Sequence, residues 1–269
     1  MTKIARRLVR HSVRGVSAAG LSLIVMLGTS AVAMADEAYA KAQLKAMSDY
    51  LTAQDALSFD YDATLEIVTR DDQKIALVSS GSVMLKRPDM IRATRSGGFA
   101  DVEMNFDGKT LTMLGKNLNI YAQQEVPGTV DHLIDELRNK HNRPLPAADL
   151  LMADPYNALM ADVVDIKDIG SGVVGGVECD HFAFRAKEVD WQIWIAQGER
   201  TYPCRYTITS KLVSGGPQYT IQVRDWKAGD EVAATDFSFK NTTDAKKVDL
   251  NDLEGTDDLP AHFATGEAK

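Results

Sequence analysis

Two short glycine-containing motifs in this 269-residue sequence belong to types that bind phosphate groups. Residues 170–175 match G-x-G-x-x-G, the pattern of a dinucleotide-binding turn, but a strand-like segment, residues 177–185, follows them. Because a dinucleotide-binding turn needs a helix N-terminus to meet the pyrophosphate, we interpret this motif as an ordinary turn. Residues 108–110 resemble the end of a P-loop, yet Glu103 occupies the position of the first required glycine. The sequence therefore predicts no cofactor.

The histidines have no spacing typical of a metal site or a catalytic dyad. They are His11, His132, His141, His181 and His262. His132 and His141 lack the four-residue spacing that places two imidazoles on one metal, and we interpret them as surface residues. His181 follows an aspartate on a predicted strand, where neighbouring side chains point to opposite faces. No hydrolase, zinc, redox or calcium motif occurs, so the sequence predicts no metal and no enzyme.

Cys179 and Cys204 are the two cysteines of the chain. An oxidising compartment favours a disulfide between them. The strand register derived below places their side chains on opposite faces and two strands apart, roughly 9–10 Å, whereas a disulfide needs Cα atoms within about 7 Å. We therefore expect free thiols, although a one-residue slip or a bulge would reverse this expectation.

Hydrophobic periodicity predicts the elements that position these residues. Apolar residues recur at helical spacing over residues 38–54, and residues 57–67 then alternate apolar and polar side chains, as in a half-buried strand. Pro88 bars the next strand from continuing in a ladder interior. The further predicted strands of this first half are 75–85, 90–95, 101–106, 110–114 and 118–123.

Helical spacing returns in the middle of the chain. Residues 129–140 repeat apolar side chains every three or four positions, and further apolar clusters continue to residue 160. The strand pattern resumes at 163–169 and runs to residue 239. Helices inserted between two runs of strands must lie across the sheet. Residues 241–269 are polar, and we expect them to form a loosely ordered tail.

The turns within residues 177–226 predict a register that separates an apolar face from a polar one. His181, Gln192, Arg205 and Lys211 lie on the polar face. The apolar face, with the alternating residues of the first strand, forms the candidate lipid-binding set. Its members are Phe59, Tyr61, Leu65, Ile67, Phe182, Phe184, Trp191, Ile193, Tyr206, Ile208, Tyr219 and Ile221. Each of these positions fits a packed core as well as a cavity.

The N-terminus is typical of an export signal. Five basic and no acidic residues lie within residues 1–35, an apolar run covers 16–27, and Ala33-Met34-Ala35 supplies a small-x-small site. We expect cleavage after Ala35 and a periplasmic location. The formal net charge of -8 becomes -13 without this segment, because 25 basic residues then face 38 acidic ones. Such a charge disfavours nucleic acid as a partner.

Two tracts resemble a known family. Gly81-Ser-Val-Met-Leu-Lys-Arg-Pro88, followed by Asp107-Gly-Lys-Thr-Leu111, is similar to motifs of the LolA family of periplasmic lipoprotein carriers. The tracts 179–184 and 190–195 look more like an uncharacterised family of predicted periplasmic proteins grouped with LolA-like folds. The resemblance implies an incomplete β-barrel that holds acyl chains on its concave face under a helical lid. It also implies that Arg87 latches this lid by hydrogen bonds.

We therefore expect an α+β fold, a strongly curved antiparallel sheet with helices covering its concave face. The expected organisation is a signal peptide (1–35), a single LolA-like domain (36–240) and a C-terminal tail (241–269). The predicted function is a periplasmic carrier of a lipid or a lipoprotein acyl chain, with a possible envelope protein partner and transient membrane contact. The alternatives are an envelope-stress sensor or scaffold that recognises lipoproteins, and a cell-envelope lipid hydrolase using a serine with His181 or His132.

Overall fold

The computed structural model describes residues 29–98, 100–141, 145–234 and 236–253. These residues form α-helices α1 (Thr29–Thr52), α2 (Val130–Asn139) and α3 (Pro155–Met160) and one sheet. Short 3-10 helices span Ala148–Leu151, Gly229–Glu231 and Leu250–Leu253. The strands are β1 (Ala56–Val68), β2 (Lys74–Lys86), β3 (Met90–Gly97), β4 (Asp101–Phe106), β5 (Thr110–Gly115), β6 (Ile120–Glu125), β7 (Val163–Val174), β8 (Val177–Ala186), β9 (Val189–Ala196), β10 (Pro203–Ser210), β11 (Gln218–Ala228) and β12 (Lys246–Val248).

The sheet is curved, open and mostly antiparallel. The alternating patterns predicted its antiparallel strands, and the family resemblance implied its curvature. Its strand order is β12-β6-β5-β4-β3-β2-β1-β11-β10-β9-β8-β7. Consecutive strands are neighbours because short turns connect antiparallel strands. The meanders β1–β6 and β7–β11 join where β1 pairs with β11, with Tyr61 opposite Val223. Residues far apart in the chain thereby share one surface.

The predicted register of β8, β9 and β10 is confirmed at the inner pairs. Phe184 lies opposite Trp191, and Phe182 lies opposite Ile193, which in turn lies opposite Tyr206. These five side chains are buried on one face of the sheet. We call this face the inner face and the opposite one the outer face.

Helix α1 buries a single apolar stripe. Ala40, Leu44, Met47 and Leu51 are buried at spacings of four, three and four, which confirms the helix predicted from residue 38 onwards. The helix begins earlier than predicted, at Thr29, and so continues through the expected cleavage site. Residues 1–28 of the expected signal peptide lie outside the described residues, and cleavage after Ala35 stays a prediction.

Helix α2 confirms the helix predicted at 129–140. The side chain of Thr129 caps it by accepting a hydrogen bond from the main-chain nitrogen of His132. Its apolar stripe is buried in the same cluster as α1, α3 and the inner-face residues of the sheet. Across the described parts of the chain, no α-helix combines the length and the hydrophobicity that a bilayer span requires.

Part of the expected tail belongs to the sheet. Residues 246–248 form β12, which pairs in parallel with β6, and the following 3-10 helix buries Leu250 and Leu253 near Ala122. The expectation of a loosely ordered tail is therefore wrong for residues 246–253. The edge strand β6 has unpaired main-chain groups, and β12 pairs with them. This pairing holds the segment against the sheet, although only two of its residues are buried and apolar.

Candidate functional site

A cavity lies between the inner face and the segment that follows α2. Strands β1–β5, β10 and β11 form its floor, and residues 145–151 lie across it together with Leu51 of α1. It measures about 200 Å³, is partly open to solvent and has a mainly apolar lining. A void of this kind inside a buried cluster is unusual, because protein interiors are close-packed. The cavity is therefore the candidate binding site.

Five of the predicted residues line this cavity. They are Phe59, Tyr61, Tyr206, Tyr219 and Ile221. All five come from β1, β10 and β11, which are adjacent in the sheet. The pairing of β1 with β11 brings together side chains that lie more than 150 positions apart in the chain.

Four predicted residues from β8 and β9 are packed core instead. Phe182, Phe184, Trp191 and Ile193 are buried in the main cluster and are not among the described residues that line the cavity. The rings of Phe184 and Trp191 stack with centroids 3.8 Å apart and an angle of 6° between their planes. Helix α1 contacts this half of the sheet, and its Tyr39 meets Phe182 edge-on at 5.9 Å. Helix α1 therefore packs against side chains that the sequence analysis assigned to lipid binding.

Three other predicted residues lie away from the cavity. Ile208 is partly buried against the edge of the main cluster. Leu65 is half-buried, and Ile67 is buried outside the main cluster, near the far end of β1. The alternation of apolar and polar side chains along β1 continues beyond the cavity. Hydrophobic periodicity alone therefore does not show where the cavity ends.

Several lining residues were missed by the sequence analysis. Val83, Ile91, Ala93, Met104 and Met113 supply the part of the floor formed by β2–β5. These strands were predicted, but no inner face was assigned to them. Inward-facing residues on these strands are spaced two positions apart, as Ile91 and Ala93 show. Directly paired residues of neighbouring strands share a face, so the pairing of β1 with β2 and of β2 with β3 would have identified these residues.

A stack of aromatic rings forms one wall of the cavity. The Trp226 ring lies 5.6 Å from that of Phe59 and 5.1 Å from that of Tyr202, at interplanar angles of 17° and 4°. Its Nε1 donates a hydrogen bond of 3.2 Å to the Tyr50 hydroxyl on α1. This wall is thereby held between the helix and the sheet.

Polar groups occur at one end of the otherwise apolar lining. Thr94, Arg95 and Glu103 lie there, on β3 and β4. Burial raises the pKa of Tyr61 and of Tyr219, and the charge of Arg95 partly opposes both shifts.

Arg87 connects the end of β2 with the segment that crosses the cavity. Its Nη1 donates to the main-chain oxygens of Leu151 at 3.1 Å and Met152 at 3.2 Å. Burial lowers its pKa, and the nearby Asp131 partly opposes this shift. The Asp131 carboxylate accepts a hydrogen bond from the main-chain nitrogen of Ala153. Charged groups thus hold residues 151–153 from two sides.

The described residues contain no group of three or more His, Cys, Asp and Glu side chains arranged for a metal. His181 contacts Gln192, with 3.0 Å between Nε2 and Oε1, and stacks on Trp194. Asp180 instead accepts hydrogen bonds from Gln197 and from Tyr39 on α1. The two neighbours thus have separate partners, as expected for adjacent residues of a strand.

The cysteines lie together on the outer face, which contradicts the predicted register at this point. Their Sγ atoms are 2.7 Å apart, and both residues are buried. A bulge in β10 places Pro203 opposite Ile195 and shifts Cys204 out of the alternation, so its side chain joins that of Cys179. The prediction that these thiols lie on opposite faces is wrong.

Comparisons with solved structures find remote similarity. The chain is 15% identical to MucB in the Pseudomonas aeruginosa MucA/MucB complex (TM-score 0.44), with 75% of this chain and 61% of that chain covered. It is 12% identical to the lipoprotein LppX of Mycobacterium tuberculosis (0.37; 74% and 100%). It is 10% identical to a LolA superfamily protein of Nitrosomonas europaea (0.32; 71% and 94%). The chain spans about three fifths of the MucB chain.

No curated protein matches this sequence. A family model described as "Predicted periplasmic protein (DUF2092)" matches residues 40–251, which is most of the chain. This match confirms the resemblance to a family of predicted periplasmic proteins that the tracts 179–184 and 190–195 indicated. The chain belongs to the DUF2092 family of predicted periplasmic proteins.

Proposed function

We propose that this protein is exported after removal of residues 1–35 and binds a lipid acyl chain in the periplasm. The single domain of residues 36–240 holds the chain between the inner face of the sheet and residues 145–160. The observation that carries this proposal is the unfilled apolar cavity lined by Phe59, Tyr61, Tyr206 and Ile221. Pockets for apolar ligands have such a lining, with few polar groups.

The size of the cavity suits part of one acyl chain. An apolar cavity of about 150 Å³ binds one benzene molecule, so 200 Å³ accommodates roughly eight carbon atoms. Because the cavity is partly open, the rest of a longer chain extends beyond it. Burying about eight methylenes at ~0.8 kcal/mol each favours binding by about 6 kcal/mol before ordering costs. Opening of the cover then speeds release.

The elements over the cavity supply that cover. Residues 145–160 pack in the same buried cluster as α1, α2 and the sheet, and the main-chain nitrogen of Tyr156 donates to Ser48 Oγ on α1. Arg87 holds residues 151 and 152 from the end of β2. Breaking these few polar contacts opens the cavity without disturbing the sheet.

The test is displacement of a fluorescent fatty acid from delipidated protein, together with native mass spectrometry of freshly purified protein. We expect a bound lipid and displacement by palmitate. Ala93→Leu fills part of the floor and weakens binding at least tenfold, whereas Ala76→Leu, at an exposed position of β2, leaves it unchanged. The absence of both a bound lipid and displacement would refute the proposal.

Exposed apolar residues on an edge strand favour a protein partner as a second candidate function. Val164, Ile169 and Val173 lie exposed on β7, which ends the sheet. An edge strand of this kind accepts an added strand from another chain. Pull-down with inner-membrane signalling proteins and with outer-membrane acceptors separates a sensor from a carrier. Retention of neither group would exclude this second role.

A further inference from the structure

We propose that Cys179 and Cys204 form a disulfide bond in the exported protein and that this bond holds one wall of the cavity. They are the two cysteines of the 269-residue sequence, so neither has a competing partner within it. The bond itself requires only an oxidising compartment, whereas its effect on ligand binding rests on the proposed function.

The two cysteines come from strands that are not direct neighbours. Cys179 lies on β8 opposite Ala196 of β9, and Cys204 lies on β10, on the other side of β9. Two strand spacings in a regular sheet amount to roughly 9–10 Å, whereas a disulfide needs Cα atoms within about 7 Å. A disulfide therefore requires a local departure from regular strand geometry.

The bulge in β10 supplies this departure. The register of β10 against β9 skips Cys204, which lies between the paired residues Pro203 and Arg205. A bulged residue leaves the alternation of its strand, and the Cys204 side chain joins that of Cys179 on the outer face. Ala196 belongs to the same small cluster, and its methyl group leaves room for the sulfurs to meet over β9. The geometric objection to a disulfide therefore no longer holds.

The surroundings of the two sulfurs favour a bond over a pair of thiols. The Sγ atoms lie 2.7 Å apart, and both cysteines are buried in a cluster with Trp194 and Tyr202. The Cys179 thiol donates to the main-chain oxygen of Val177 at 3.4 Å, but a thiol is a weak donor. Oxidation therefore sacrifices little hydrogen bonding, and an oxidising compartment drives it.

The bond forms by exchange with the disulfide of a thiol oxidoreductase. One cysteine thiolate attacks a sulfur of that disulfide, which gives a mixed disulfide and releases the first thiolate of the oxidoreductase. The second cysteine thiolate then attacks the mixed disulfide, and the second thiolate of the oxidoreductase leaves. The exported protein loses two electrons and two protons, and the oxidoreductase gains them. Because both cysteines are buried in the folded protein, we place this exchange before the turn between β9 and β10 closes.

Residues 202–204 connect the cysteine pair with the cavity. Pro203 lines the cavity, and Tyr202 packs in the cysteine cluster. The Tyr202 ring also stacks at 5.1 Å on Trp226, which is another lining residue. A covalent bond from Cys204 to β8 restrains this segment, so the wall keeps its shape when no ligand is bound. Such preorganisation raises affinity because less ordering is left to binding.

The first test is thiol trapping on protein isolated from the periplasm. We expect no alkylation in denaturant until a reductant is added, and an intact mass lower by two hydrogen atoms than that of the reduced chain. The residues are 25 positions apart, so reduction lowers the Tm by on the order of 10 °C. Cys204→Ser, the control, is alkylated at Cys179 without reductant. Alkylation of both cysteines in unreduced wild-type protein, or a disulfide-linked dimer, would refute the bond.

The second test titrates oxidised and reduced protein with palmitate at a temperature where both are folded. We expect the reduced protein to bind about threefold more weakly, because its wall must be ordered by the ligand. The double variant Cys179→Ala with Cys204→Ala is the matched control, and its Tm and affinity should not respond to the reductant. Equal affinities of oxidised and reduced wild-type protein would overturn the role of the bond in the wall. Failure of palmitate to bind the oxidised protein would overturn the proposed function, while the thiol trapping decides the bond independently.

Discussion

The Tyr61 hydroxyl donates a hydrogen bond of 2.8 Å to the main-chain oxygen of Thr94, which lies two strands away on β3. The tyrosine side chain crosses the intervening strand β2 at Gly81, its direct partner in the β1–β2 pairing. A Cβ atom at position 81 would overlap the Thr94 oxygen and lie 2.6 Å from the Tyr61 hydroxyl oxygen. This glycine therefore permits a lining residue of the cavity to be tied to the sheet.

Gly81→Ala should displace the Tyr61 ring and break this hydrogen bond. We expect the free energy of unfolding to fall by about 2–4 kcal/mol, as for other substitutions that force overlap in a packed interior. Urea denaturation measures the loss. Gly98→Ala is the control, because a Cβ there meets no atom within 4 Å. Equal midpoints for Gly81→Ala and the wild-type protein would contradict this role of Gly81.

Arg87→Leu should speed the release of ligand without unfolding the protein. The substitution removes both hydrogen bonds to the main-chain oxygens of Leu151 and Met152, but it also removes a buried cation that is costly to desolvate. We expect a dissociation rate about tenfold higher, measured by stopped-flow displacement of a fluorescent fatty acid. Arg185→Leu, at an exposed ion pair, serves as the control. An unchanged rate would show that Arg87 does not hold the cover.

Trp191→Ala should weaken the fold while leaving the cavity unchanged. Trp191 stacks on Phe184 and meets Tyr206 edge-on at 5.7 Å, within the part of the core that α1 fills. Removing a buried tryptophan costs about 3–5 kcal/mol of unfolding free energy. Affinity for palmitate, measured where the variant is folded, should stay within about twofold. A large loss of affinity for palmitate with an unchanged free energy of unfolding would show that Trp191 belongs to the binding site.

The stability of the protein should fall in mild acid because of His181. Burial lowers the pKa of His181 below 6.5, partly opposed by the hydrogen bond with Gln192 and the charge of Asp168. As the pH falls, His181 is therefore protonated in the unfolded chain before it is protonated in the folded protein. The contribution of His181 is complete above about pH 6.5 and is lost as the pH falls towards the lower pKa of the folded state.

Urea unfolding between pH 7.5 and 5 measures this effect, and His181→Gln should flatten the profile across that range. The imidazole stacks on Trp194 with ring centroids 3.9 Å apart, so tryptophan fluorescence should follow the same titration. A wild-type profile as flat as that of the variant would contradict the lowered pKa.

The aromatic face of β8–β10 illustrates both the strength and the limit of the sequence analysis. Alternation placed Phe184 opposite Trp191 and Phe182 opposite Ile193, as observed. It also assigned them to ligand binding, whereas α1 packs over this half of the sheet and the cavity lies nearer β1–β5. An inward-facing residue has the same pattern whether a helix or a ligand covers it.

The C-terminal segment and the cysteines show the same dependence on distant contacts. Leu250 and Leu253 are two apolar residues in a polar stretch, and only the edge of β6 makes them core. A bulge in β10 places the Cys204 side chain on the face opposite to the predicted one. The residue types of β10 did not predict this bulge.

The amino-acid sequence by itself determined the order of helices and strands, the register of the central hairpins and the apolar character of the inner face. These properties arise from interactions between residues close in the chain, where side-chain period and turn length act directly. The tertiary structure decided which apolar side chains meet a helix and which border open space, and it brought Arg95 and the two sulfurs to their positions. Such outcomes depend on packing between segments that are far apart in the chain, and no local pattern records it.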